Sequence, residues 1–93
     1  MVVGVLHIEL HVPAAASLKD TRSVLKSIKD QLHGRLNLAV ADVDPNEKWQ
    51  RATLGAVTVG RDRRTVESCV QHVRTWIGGH PIVQLIRIEQ EMW

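Results

Sequence analysis

The apolar residues of this chain change their period along its length, and no other property restricts its fold as strongly. In VVGVLHIELHV, residues 2–12, they alternate. Leu6, Ile8, Leu10 and Val12 fall on one side, and Val3, Val5, His7, Glu9 and His11 on the other, as in a strand with one side buried. Pro13 ends that strand. Ser17 then offers an N-cap oxygen, and Asp20 three positions later places a carboxylate in the first turn, close to a capping box. Leu18, Leu25, Ile28 and Leu32 follow at helical spacing, which predicts a helix to about Leu32 with Gly34 as its stop.

The period returns to two in LNLAVADV, residues 36–43, and RATLGAVTV, residues 51–59, is rich in β-formers. DPNEK between them supplies Pro45 and Asn46 for a turn, so the pair predicts a hairpin. Asp62 can cap a second helix carrying Val66, Val70, Val73 and Ile77 and closed by Gly78 and Gly79. Ile82 to Glu91 alternates as a last strand. The order β-α-β-β-α-β predicts an α+β, ferredoxin-like sandwich, with two helices on one face of a four-stranded antiparallel sheet. With 93 residues and no linker or repeat, the expectation is a single domain over 1–93 with one core.

No apolar run approaches the ~18 residues that span a bilayer. The N-terminus lacks a basic leader and carries Glu9 within its apolar stretch, so an unprocessed cytoplasmic chain with no membrane contact is expected. Cys69 is the single cysteine, which rules out an internal disulfide and fits a reducing compartment.

Charge is informative through its placement. The net charge is +2, but residues 17–35 hold Lys19, Arg22, Lys26, Lys29 and Arg35 against Asp20 and Asp30. At about 100° per residue, Lys19, Arg22, Lys26 and Lys29 form a stripe beside the buried seam. Like charges three and four residues apart cost a few tenths of a kcal/mol per pair, so helix stability does not explain the stripe. Two readings fit: methylene stems laid over the core, or a docking line for phosphates or an acidic protein surface.

Two other constellations carry less chemistry. Asp42, Asp44 and Glu47 precede Trp49, Gln50 and Arg51 and would suit a Mg²⁺ or an acid/base pair, but turn chemistry and pairing with Lys48 and Arg51 account for them. His7, Glu9 and His11 share a strand face, yet Glu9 lies between the histidines, which is poor tetrahedral geometry for Zn²⁺. No metal, cofactor or catalytic group is expected.

SLKDTRSVLKSI followed by ADVDPNEKWQRATLGAVTV resembles the small bacterial YlxP-like family of unknown function. Ser17, Leu18, Lys19, Arg22, Val24, Leu25 and Lys26 match its first motif, and Val43, Asp44, Trp49, Gln50, Arg51 and Ala52 its second. Thr21 stands where that family tends to have lysine, which thins the stripe, and Asp42 where it tends to have glutamate. The resemblance implies a ferredoxin-like fold and an association with ribosomal RNA or a ribosome-bound protein.

Such RNA contact cannot rest on stacking across the sheet. The chain has no Phe or Tyr, and its three tryptophans fall at the hairpin edge, in the second helix and at the C-terminus. Contact should run through Lys19, Arg22, Lys26 and Lys29, joined by Arg51, Arg61 and Arg63, and read backbone shape. The sheet face away from the helices would show Val3, Val5, Val57, Val59, Val83 and Leu85. That is too apolar for water, and either a second copy or the C-terminal Met92 and Trp93 should cover it. The expectation is a non-enzymatic, homodimeric binding domain, with RNA as leading ligand and an acidic protein partner as the alternative.

Overall fold

A computed structural model describes residues 1–43 and 49–93. It has the order β1 (Val2–His11), α1 (Leu18–Arg35), β2 (Ala39–Asp42), β3 (Arg51–Gly60), α2 (Arg63–Gly78) and β4 (Gln84–Met92). The strands form one antiparallel sheet in the order β2-β3-β1-β4, the ferredoxin-like arrangement.

Strand β1 pairs with β3 over its full length, from Val2 opposite Gly60 to His11 opposite Arg51. That register puts Leu6, Ile8, Leu10 and Leu54 under the helices, where each is fully buried. Leu25, Ile28 and Leu32 of α1 and Val66, Val73 and Ile77 of α2 close the core from above. Each such side chain contributes about 1.5–3 kcal/mol through burial. Gly4 is required where α2 meets the sheet, because a Cβ there would lie 2.5 Å from Val66 Cγ1.

Both helix starts follow the sequence. Ser17 Oγ accepts from the Asp20 amide at 3.1 Å while Asp20 accepts from the Ala16 amide at 3.0 Å. Asp62 Oδ1 accepts from both the amide and the hydroxyl of Thr65, each at 2.8 Å. Those two bonds hold the Asp62 carboxyl below the usual aspartate range.

Element ends depart from expectation in three places. Gly34 does not stop α1, which continues to Arg35; the Leu36 amide caps it on the Leu32 carbonyl, and His33 Nδ1 donates to the Leu38 carbonyl at 2.7 Å. The second strand spans Ala39–Asp42, not 36–43, because Leu36 and Leu38 serve the core in the connection: Leu38 is buried and Leu36 packs against it. The last strand is not a simple alternation. Leu10 pairs with Leu85 and Glu9 with Arg87, so Ile86 is an extra residue that resets the strand's parity.

Candidate functional site

The basic stripe and the open sheet face lie on opposite sides of the molecule, and the structure treats their residues differently. On α1, Thr21, Leu25, Ile28 and Leu32 are buried, while Lys19, Arg22 and Lys26 are exposed and Lys29 is half-buried. Arg35, about 120° or more around the helix from the stripe, lines a cavity with His72, Thr75 and Trp76 of α2. The flank bearing Arg35 therefore faces α2, and the stripe occupies the flank turned away from it. Thr21 does not thin the stripe as expected. It is 1% exposed, and its hydroxyl donates to the Trp49 carbonyl, so position 21 belongs to the buried seam.

Arg51, Arg61 and Arg63 do not join the stripe. Arg51 pairs with His11 on the far side of the sheet, its guanidinium 3.8 Å from the Glu9 carboxylate. Arg61 and Arg63 follow Gly60, which lies opposite Val2, at the end of the sheet away from the start of α1.

Trp49 and Gln50 have a role that the sequence reading missed. Trp49 Nε1 donates to the Ala15 carbonyl at 2.7 Å, and Gln50 Nε2 to the Pro13 and Ala15 carbonyls at 3.1 and 3.3 Å. The Val12 amide bonds to the Gln50 carbonyl at 2.8 Å. Together with Thr21 these bonds fasten the β1–α1 connection to the start of β3, which fixes where the stripe begins. Only the Trp-Gln pair in the second motif marked this contact in advance.

The open sheet face divides into two halves. Val3 stands opposite Val59 and Val5 opposite Val57, with Ala39, Ala41 and Val43 continuing the apolar half over Gly55. Val57 and Val59 remain 42% and 46% exposed. Met92 and Trp93 do not fold over them; Trp93 prolongs β4 by exchanging two backbone bonds with Val3, at 2.8 and 2.9 Å. Val83 and Leu85 are not part of this face. Val83 is buried at 4% and Leu85 packs on the core, a consequence of the Ile86 bulge.

The other half is polar and internally paired. Arg87 Nε lies 2.9 Å from Glu9 and 3.4 Å from Glu89, and His11 Nδ1 lies 3.1 Å from Gln84 Oε1. Glu9 and His11 thus have partners that compete with any metal role for His7, Glu9 and His11. Asp42 lies on β2, while Asp44 and Glu47 fall outside the described residues. Among the described residues, no helix is long and apolar enough to cross a membrane.

Residues 3–90 match the family described as "Protein of unknown function (DUF503)". The chain is 28% identical over 82 residues to "Uncharacterized protein YlxP" of Bacillus subtilis (strain 168), an alignment covering 88% of this chain and 89% of that protein. The chain belongs to this family.

Proposed function

We propose that this family member is a non-enzymatic cytoplasmic binding domain associated with translation or ribosome maturation, and that it docks ribosomal RNA backbone through Lys19, Arg22, Lys26 and Lys29. The observation that carries the reading is their common flank on α1, the one used by neither the core nor α2. Phosphates spaced along an RNA strand would offset the repulsion between like charges at three- and four-residue spacing. Base stacking would have only scattered indoles to use: Trp49, tied to Ala15 just before β3, and Trp93, at the end of β4, are 56% and 75% exposed, and Trp76 is half-buried. Recognition would therefore follow backbone shape.

The test is the salt dependence of ribosomal RNA binding. Four phosphate contacts predict a log-log slope near −3, at about −0.7 per contact on single strands. Reversing Lys26 and Lys29 to glutamate should flatten it. Should RNA affinity ignore the reversal, and a captured partner survive nuclease treatment, the stripe would belong to an acidic protein and the RNA reading would fail.

A second reading concerns the open sheet face, where Val3, Val5, Val57 and Val59 form two cross-strand pairs. A twofold axis along the strands, between β1 and β3, would lay each β1 valine over a β3 valine of a second copy. One patch then serves both sides of a homodimer.

A further inference from the structure

We infer that the cleft between the two helices is a docking site for an acidic peptide segment, seated by one large apolar side chain next to a carboxylate. The inner flank of α1 does not close onto α2. It leaves a cavity of about 290 Å³ lined by Leu32, Leu36, Thr75 and Trp76, with Arg35 and His72 also on its wall. A second cavity of about 250 Å³ has Arg35, Leu36 and His72 on its wall as well, so these three residues serve both. Leu36 and Trp76 pack on the core yet remain partly exposed, which leaves apolar surface for a visitor to cover.

Charge and size select the occupant. Arg35 and His72 are the basic groups of the cleft, and among the described residues no carboxylate lines either cavity. The complement is an anion held beside an apolar group. The first cavity lies at the foot of the range of roughly 300–1,000 Å³ that small-molecule sites occupy, which suits one anchoring side chain better than a cofactor. The site uses the flank of α1 opposite the stripe and stands independently of the RNA reading.

The probes are three labelled, acetylated and amidated peptides: Asp-Asp-Trp-Asp-Asp, the same with alanine for tryptophan, and the same with lysine for aspartate. Fluorescence anisotropy should detect the first in the millimolar range expected of a single anchor. Both replacements should weaken binding by at least about fivefold, as should Arg35→Glu, a reversal at an exposed position. Thr75→Tyr, which fills the cavity from an exposed helical position, should abolish binding while leaving thermal unfolding unchanged. Equal binding of the lysine peptide, or indifference to both variants, would overturn the proposal. So would a uridine oligonucleotide that loses affinity in Thr75→Tyr while the acidic peptide does not, because the cleft would then hold a base.

Discussion

The helical face and the open sheet face carry charge on different terms. The helices hold Lys19, Arg22, Lys26, Lys29, Arg35, Arg63, Arg64 and Arg74 against Asp20, Asp30 and Glu67. On the sheet, Glu9, Arg87 and Glu89 form a chain of ion pairs in which Arg87 contacts both carboxylates, with Arg51 on the other side of Glu9. These four charges on the sheet are answered within the fold, even if each exposed pair adds only about 0–1 kcal/mol. Those of the stripe share one flank of α1 at three- and four-residue spacing. The difference teaches where an external partner has most to offer: an anion on the helical face, an apolar surface on the valine half of the sheet.

The largest expected effect would come from breaking the sheet side. In Val5→Asp and Val57→Asp, a dimer would have to bury a carboxylate among valines, and its dissociation constant should rise about a thousandfold. Sedimentation at micromolar concentration reads this directly. A wild-type monomer would remove the dimer from the comparison.

Next comes the helical side. Lys26→Glu with Lys29→Glu should lower ribosomal RNA affinity about a hundredfold at low salt, by losing two of four phosphate contacts. Lys26 is exposed and Lys29 half-buried, so thermal stability should change by no more than about 1 kcal/mol. Equal loss of stability and affinity would mean that the stripe serves the fold.

Gly4 sharpens the comparison from the seam between the two faces. Gly4→Ala would push a methyl into Val66 and lift the first turn of α2, at a cost of about 1–3 kcal/mol in denaturant unfolding. Neither RNA affinity nor self-association should follow it in proportion.

The smallest effect concerns pH. Asp62 is held below the usual aspartate range by its bonds to Thr65, so its contribution to stability is present above about pH 4 and is lost as pH falls through the lowered value. Asp62→Asn keeps a capping oxygen but does not titrate, and should flatten the acid limb of the stability profile. An unchanged limb would assign the pH dependence to other carboxylates.

The order of elements and both N-caps were legible because each rests on local chemistry: apolar period, and a Ser17 or Asp62 oxygen within reach of an amide three residues on. The faces of β4 were not. One extra residue, Ile86, inverts the strand's parity, and nothing in alternating apolar residues marks where a bulge falls. Position 21 is a different case: helical angle alone sets Thr21 between Ile28 and Leu32 in the buried sector, and only its polar type argued for the surface. The stripe itself followed from helical angle alone. Separating it from Arg51, Arg61 and Arg63 required the sheet register, which is tertiary.

Amide chemical shifts recorded during titration with a ribosomal RNA fragment set the two faces against each other most directly. The account predicts perturbations at Lys19, Arg22, Lys26 and Lys29 that fade with added salt, while Val3, Val5, Val57 and Val59 stay unmoved. Salt-insensitive shifts centred on the valines, with α1 silent, would contradict it.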